Sequence, residues 1–186
     1  LKPGANIFCI GAGGAAYGII SQLIKLKPDV VEISNRTEKT AIKLKNHFSD
    51  HDKTIIKVRP WGFQPNRHTD LLVNTSTHGM NHSDKLSFNL DLLSKRTFVY
   101  DIIYSPRKTE LLKKADSLGL KNSNGIYMLI RQAAQSFKKW FDVDLNKEDI
   151  INVKKEHRNI GEIDNNKSLN HDKELGNIEI LFKKVE

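Results

Sequence analysis

The chain has 186 residues, of which 38% are apolar and 28% charged, a composition typical of one or two small globular domains. No apolar run approaches the ~18 residues that a membrane helix needs, and the amino terminus lacks the charged-then-apolar pattern of a secretion signal. These features argue against a membrane protein and a secreted protein. The single cysteine, Cys9, excludes an internal disulfide, so we expect a reducing compartment, the cytoplasm.

The positive charge is unevenly distributed along the chain. The formal net charge is +8, but residues 1–141 hold 22 Lys and Arg against 11 Asp and Glu, a net charge of +11. A basic body suits an anionic ligand such as a phosphorylated cofactor or nucleic acid, although a solvated surface explains most such charge. The basic cluster around Lys108 and Lys113 has no interleaved aromatic residues, which favours a solvated helix face over a nucleic-acid site.

Short apolar runs alternate with amphipathic stretches, which is the pattern of βαβ units. We therefore predict an α/β fold with a doubly wound parallel sheet of the Rossmann-like kind. The predicted strands are Asn6–Ile10, Val30–Ser34, Thr54–Val58, Asp70–Asn74 and Thr97–Asp101. The predicted helices are Ala15–Leu26, Thr37–Phe48, Thr109–Leu118 and Gly125–Phe141.

The composition changes near residue 154, beyond which the sequence is polar and rich in asparagine. We therefore expect a nucleotide-binding domain over residues 1–153 and a loosely ordered tail over residues 154–186. Within the tail, residues 177–182 form either a short edge strand or an unstructured end. The chain starts at Leu1 rather than Met and its first strand begins five residues later, so we expect it to be a piece of a longer protein.

A glycine-rich segment joins the first predicted strand to the first helix and matches G-x-G-x-x-A in the required context. Gly11 permits a tight turn, Gly13 lets the backbone approach a pyrophosphate, and Ala16 lets the helix pack closely on its strand. The amino terminus of the helix adds N–H donors and a partial positive charge. A glycine-rich turn without a ligand is the alternative. The predicted phosphate-binding residues are Gly11, Ala12, Gly13, Gly14 and Ala15.

The end of the second predicted strand distinguishes NADP from NAD. An NAD site usually has Asp or Glu there to bind the ribose, whereas this chain has Asn35, Arg36 and Thr37. The Arg36 guanidinium suits a 2′-phosphate, the two neighbouring side chains are neutral donors, and Lys39 adds charge. NADP is therefore the predicted cofactor. The alternatives are an exposed turn cation with Thr37 as a helix cap, and Glu32 as the ribose carboxylate, which its position inside the strand disfavours.

Several motifs, taken in order, resemble the NADP-binding domain of the shikimate dehydrogenase family from about residue 2 to residue 141. The resemblance implies an NADP-dependent oxidoreductase of aromatic amino-acid (chorismate) biosynthesis that reversibly reduces 3-dehydroshikimate to shikimate. The motifs are Gly11–Ala15; Asn35–Thr37; Asn74, Thr75 and Ser76 with Gly79 and Met80; Asp101 with Tyr104 and Pro106; and Gly125 with Met128, Gln132 and Phe137.

The resemblance also assigns roles to individual residues. It implies that Tyr104 and Gln132 reach shikimate, and a hydroxyl and an amide suit a polyhydroxylated ring acid. A half-buried tyrosine and an amide on a helix surface are the alternatives for these two residues. The further cofactor contacts that it implies are Thr75, Ser76, Ile102 and Gly125.

The chain departs from the family pattern in two places. The family's substrate domain precedes the nucleotide domain and carries the groups that assist hydride transfer, and this chain does not include it. Because reduction of a carbonyl needs a proton donor, we assign no catalytic residue and expect an amino-terminal substrate domain as a partner. In addition, Asp142 stands where family members often have glycine, which leaves the local turn open.

Two other functions stay open at this stage: a quinate/shikimate dehydrogenase that uses NAD, and a non-catalytic NADP-binding regulatory module. No metal site is expected, because His78 and His82 lie in a glycine-containing loop rather than on one helical face; we interpret both as solvated. The sequence leaves the oligomeric state open, with a homodimer among the options.

Overall fold

The computed structural model describes residues 1–48, 54–81, 83–145, 148–149 and 151–152. The chain divides into two compact units, Leu1–Gly125 and Ile126–Glu186. The strands of the described residues are β1 (Asn6–Ile10), β2 (Val30–Ser34), β3 (Ile55–Arg59), β4 (Leu71–Asn74), β5 (Phe98–Asp101) and β6 (Lys121–Ser123). The helices are α1 (Gly14–Ile24), α2 (Glu38–His47), α3 (Glu110–Ser117) and α4 (Ile126–Phe141).

The first unit is built on a parallel sheet with the strand order β3-β2-β1-β4-β5-β6. The chain starts in the middle of the sheet, runs to one edge, and then returns to build the other half. This confirms the doubly wound α/β prediction. The order of strands reverses between β1 and β4, and parallel sheets of this kind bind ligands at the carboxyl ends of the strands beside such a reversal.

A separate apolar core covers each face of the sheet, which explains why the strands read as continuous apolar runs. Helices α1 and α2 pack on one face and α3 on the other. The first core includes Ile7, Cys9, Val31, Ile33 and Val73 with Ala16, Ile20, Ala41 and Leu44. The second includes Phe8, Ile10, Leu72 and Val99 with Leu111, Leu112, Ala115, Phe88 and Leu90.

The sequence did not predict β6, because Lys121-Asn122-Ser123 has no apolar residue. This short strand exists through backbone pairing with β5, in which Val99 is opposite Asn122. The other predicted strands and helices are present; β1 and β2 have the predicted bounds, and the ends of the others differ by at most two residues. Thr37 and Thr109, placed inside helices by the sequence, are instead the N-cap residues of α2 and α3. The tail that was predicted from residue 154 lies outside the described residues, as does the alternative strand at 177–182.

The described part of the second unit contains α4, whose amphipathic pattern was predicted. Phe137 is buried, and its ring centroid lies 4.8 Å from that of Phe141. Asp142 has φ +54° and donates its N–H to the Lys138 carbonyl at 2.8 Å, so it closes the helix in the left-handed conformation that glycine favours. An aspartate therefore makes this turn without glycine. No helix among the described residues is long and apolar enough to cross a membrane.

Candidate functional site

The glycine-rich loop follows β1 at the point where the sheet reverses its strand order. Gly11 has φ +97°, and a Cβ built there would lie 2.9 Å from the Ser76 Cβ and 3.0 Å from the Thr75 hydroxyl. Only glycine fits at that position without displacing the neighbouring loop. By contrast, a Cβ on Gly13 or Gly14 meets nothing within 4 Å, so this part of the backbone faces open space.

The start of α1 provides hydrogen-bond donors beside that open space. Gly13 is the N-cap residue in an extended conformation and has no side chain to cap the helix; its carbonyl accepts the N–H of Ala16 at 3.0 Å. The first amide groups of a helix have no acceptor within the helix, and the helix dipole makes that end positive. The loop therefore fits a pyrophosphate, as the spacing of Gly13, Gly14 and the exposed Ala15 predicts.

Asn35 connects the glycine-rich loop to the turn after β2. Its Oδ1 accepts the N–H of Ala12 at 3.1 Å, and its Nδ2 donates to the Thr37 carbonyl at 2.8 Å. The N–H of Gly11 also donates to the carbonyl of Ser34, the last residue of β2, at 2.8 Å. Most of the Asn35 amide is thus engaged within the protein. Its main effect is to hold two predicted binding segments in a fixed relation.

The three other residues predicted to bind a 2′-phosphate lie at the start of α2. Arg36 and Lys39 are exposed. Thr37 is the N-cap residue of α2, as the alternative interpretation expected, although its side chain makes no capping hydrogen bond. Two cations and a hydroxyl beside the positive end of a helix suit a doubly charged phosphate.

Glu32, the alternative ribose-binding residue, is held elsewhere. Its Oε1 accepts from Arg59 Nε at 2.8 Å and from Arg59 Nη2 at 2.6 Å. The Arg59 guanidinium carbon in turn lies 4.5 Å from the centroid of the Phe63 ring. The glutamate is therefore engaged by a cation of the neighbouring strand, and this pairing disfavours a role for it at the ribose.

The loop after β4 is fixed by its own side chains. The Thr75 hydroxyl is buried and donates to the Ile10 carbonyl at 2.9 Å, so it holds the loop against β1. The Ser76 hydroxyl donates to Asn74 Oδ1 at 2.7 Å, and the N–H of Ser76 donates to the same oxygen at 3.1 Å. Of the two predicted cofactor contacts, only Ser76 is partly exposed.

Asp101 ends β5 as a fully buried carboxylate. It accepts hydrogen bonds from Asn74 Nδ2 at 3.0 Å, from the Ile103 N–H at 3.1 Å and from the Thr109 hydroxyl at 2.6 Å. Burial raises the pKa of Asp101, and these three donors partly oppose that effect. The carboxylate joins the ends of β4 and β5 to the first turn of α3. It thereby stabilises the edge of the sheet on which the site is built.

Ile102 and Gly125 are in direct contact. A Cβ built on Gly125 would lie 1.8 Å from the Ile102 carbonyl oxygen, and the Gly125 N–H donates to the Ile103 carbonyl at 3.2 Å. Two residues that the family resemblance links to the cofactor are therefore adjacent. Tyr104 follows on the same segment and is 40% exposed. Gln132 belongs to the second unit, where it is exposed on α4.

Sequence reasoning missed Trp61 and misjudged His78. His78 is half-buried rather than solvated: its ring lies 5.3 Å from the Trp61 ring, edge to face, and its Nε2 lies 3.3 Å from the Ser87 hydroxyl. His82 lies outside the described residues. An aromatic residue two positions after the end of a strand of a nucleotide-binding sheet was the signal available for Trp61. Within the described ranges, no three His, Cys, Asp or Glu side chains cluster as metal ligands would.

The basic cluster near α3 is engaged in surface ion pairs. Lys113 pairs with Glu110 at 2.8 Å and Lys114 with Asp91 at 2.8 Å, while Lys108 pairs with Asp116. All of these side chains are substantially exposed, so each pair contributes little to stability. This arrangement fits the interpretation of a solvated helix face.

Two curated relatives show the similarity in sequence. The NADP⁺ shikimate dehydrogenase of Pelagibacter ubique is 36% identical over 134 residues, which are 72% of this chain and 48% of that enzyme. That of Caldicellulosiruptor saccharolyticus is 36% identical over 157 residues, which are 81% of this chain and 55% of that enzyme. The chain therefore spans about half the length of the curated relatives it matches. No family model matches the chain.

Solved structures show the same relationship. Shikimate dehydrogenase from Aquifex aeolicus is 33% identical with a TM-score of 0.64, over 78% of this chain and 51% of that one. A shikimate dehydrogenase in complex with NADP⁺ is 30% identical with a TM-score of 0.67, over 82% and 54%. A 5-ketofructose reductase of Gluconobacter sp. is 26% identical with a TM-score of 0.69, over 77% and 53%. By sequence and fold, this chain is similar to shikimate dehydrogenases over about half of those enzymes' length.

Proposed function

We propose that this chain is the NADP-binding part of a shikimate dehydrogenase, which catalyses the reversible NADPH-dependent reduction of 3-dehydroshikimate to shikimate. The observation that carries the proposal is the arrangement at the end of β2. Arg36, Thr37 and Lys39 surround a helix start, and Arg59 holds the competing carboxylate of Glu32. This arrangement favours a ligand with a 2′-phosphate over one with a free ribose hydroxyl.

The chain's residues bind and orient the cofactor in this proposal. The loop of Gly13 and Gly14 holds the pyrophosphate on the amino terminus of α1, and Arg36 holds the 2′-phosphate. Ser76, Ile102 and Gly125 line the nicotinamide end of the site. When bound, NADPH would supply the hydride. A cofactor held at three separated points is fixed in orientation, which is the domain's contribution to the rate.

The substrate side of the proposal rests on fewer residues. Tyr104 and Gln132 contribute a hydroxyl and an amide that hydrogen-bond to the hydroxyl groups of shikimate. Among the described residues we assign none as the proton donor to the carbonyl. We propose that a substrate-binding domain, matching the other half of the relatives' length, provides the proton donor and the opposing wall of the site. The match of this chain to only 48–55% of the first two relatives supports that division.

Calorimetric titration of the chain with NADPH and with NADH tests the cofactor part of this proposal. We expect tighter binding of NADPH, because only NADPH carries the 2′-phosphate. Tighter binding of NADH would instead support the NAD-dependent quinate/shikimate dehydrogenase. Failure to bind either cofactor would reject the proposed function.

The proposal also covers the cellular compartment and the oligomeric state of the protein. We place the protein in the cytoplasm, since its single cysteine is a free, buried thiol. A homodimer stays a prediction. Light scattering on the chain with and without NADPH would determine the oligomeric state, and a mass of one chain under both conditions would reject the dimer.

A further inference from the structure

Arg36 lies on an aromatic surface that phosphate binding does not itself require. Its guanidinium carbon is 5.6 Å from the centroid of the Trp61 ring, which is within the range of a cation–π interaction. An exposed arginine otherwise samples many rotamers and loses that freedom when it binds a phosphate. Because contact with a fixed ring already restricts the side chain, less conformational entropy is lost when the ligand binds.

Trp61 is itself fixed by its surroundings. The Phe88 ring, which is buried, meets it edge to face at 5.0 Å, and the His78 ring does so at 5.3 Å. The carbonyl of the preceding residue, Pro60, accepts the Ser34 hydroxyl at 2.8 Å. Because Ser34 ends β2, the support of Trp61 is tied to the strand that leads directly to Arg36. The ring is therefore a rigid platform rather than a mobile surface side chain.

We propose that Trp61 is a positioning residue that holds the Arg36 guanidinium for the 2′-phosphate and thereby contributes to the preference for NADP over NAD. This inference rests on the proposed NADP site. A guanidinium presents its N–H donors in its plane and its flat face above and below. Packing of Arg36 against an aromatic ring leaves N–H donors free for phosphate oxygens. Without the ring, Arg36 keeps its charge, but its guanidinium is no longer held in one position.

The test compares two nucleotides that differ at the 2′ position, adenosine 2′,5′-bisphosphate and 5′-AMP, in calorimetric titrations of the full chain. We expect Trp61→Leu to weaken binding of the bisphosphate about two- to tenfold and to spare 5′-AMP. Trp61→Phe should fall between the wild type and the leucine variant, because a smaller aromatic ring still supports the cation. Trp140→Leu is the matched control, since Trp140 is 75% exposed in the second unit.

A positioning role requires that the effect of Trp61 depend on Arg36. In an Arg36→Ala background, Trp61→Leu should therefore change neither affinity further. Equal weakening of both nucleotides by Trp61→Leu, or the same loss in the Arg36→Ala background, would overturn the inference. Binding of the bisphosphate that depends on Arg36 but is unaffected by Trp61 would overturn this inference alone. Equal affinity of the wild-type chain for both nucleotides would overturn the proposed NADP function together with it.

A second measurement covers the case in which Trp61→Leu does not fold. In a Trp140→Phe background, Trp61 is the sole tryptophan, because the chain has two. Its fluorescence should change when the bisphosphate binds, since a negatively charged phosphate then lies beside the guanidinium that packs on the ring, and should change less with 5′-AMP. An equal response to both nucleotides would contradict a link between the ring and the 2′-phosphate.

Discussion

Replacement of Arg36 by alanine removes the charge that, in the proposed function, distinguishes the two nicotinamide cofactors at the end of β2. We expect NADP(H) binding to weaken roughly ten- to a hundredfold, because a charge-assisted hydrogen bond contributes about 1.5 to 3 kcal/mol. NAD(H) binding should stay nearly unchanged. Calorimetric titration with both cofactors measures the difference. Arg67→Ala, which removes an exposed arginine beside the start of β1, is the control; equal weakening of both cofactors by Arg36→Ala would remove Arg36 from the phosphate site.

Gly125 and Gly18 form a matched pair for the effect of an added methyl group. A Cβ on Gly125 would overlap the Ile102 carbonyl oxygen at 1.8 Å, so Gly125→Ala should lower the free energy of unfolding by about 1 to 3 kcal/mol. Gly18 is exposed inside α1, and a Cβ built there meets nothing within 4 Å. Gly18→Ala should therefore raise the free energy of unfolding by about 0.5 to 1 kcal/mol. Urea unfolding followed by circular dichroism measures both. An increase in the free energy of unfolding for Gly125→Ala would contradict the contact between Gly125 and Ile102.

At the scale of elements, the buried Asp101 carboxyl group, which connects β4, β5 and α3, should make the free energy of unfolding depend on pH. Burial raises its pKa in the folded protein above the value in the unfolded chain, so the protonated form is favoured by folding. The resulting stabilisation is fully present below the unfolded pKa and is lost as the pH rises through the folded pKa. We therefore expect the unfolding free energy of the wild type, relative to Asp101→Asn, to increase as the pH falls from neutral. Urea unfolding at several pH values measures this difference, and a difference independent of pH would show that Asp101 does not titrate differently on folding.

The elements show what sequence patterns can and cannot predict. Apolar runs predicted every described strand except β6, and most clearly the central strands β1 and β4, which are buried on both faces and carry that burial in their composition. β6 depends instead on a neighbour strand that the local sequence does not reveal. The glycine-rich loop after β1 was predictable because the spacing of its glycines is visible in a short stretch of sequence. The contact between Trp61 and His78, which are 17 positions apart, arises only when the loops after β3 and β4 come together.

For the whole molecule, we predict that this chain by itself binds NADP(H) but does not turn over shikimate at a useful rate. The proposed function assigns the proton donor and the opposing wall of the site to a separate substrate domain. Positioning of reactants is worth on the order of 7 kcal/mol, and acid assistance contributes a further factor of about 10² to 10⁴. NADPH absorbance, with shikimate and NADP⁺ supplied, measures turnover beside a full-length relative as the control. Robust turnover would reveal a proton donor within the chain, with His78 and Lys39 the first candidates for substitution. Turnover that stays absent when a substrate domain is joined to the chain would favour the regulatory module.

The buried thiol of Cys9 allows local opening of the sheet at the proposed binding edge to be measured kinetically. Its side chain is fully buried in β1, and burial raises the pKa of Cys9 to about 12, so the reactive thiolate is rare while the fold is closed. Labelling by a disulfide reagent should therefore report the rate and the equilibrium of local opening beneath the glycine-rich loop. NADPH should lower the labelling rate in proportion to the fraction of chains that remain unliganded, since the ligand binds only the closed form. Labelling that NADPH leaves unchanged would mean that β1 opens without disturbing the bound cofactor.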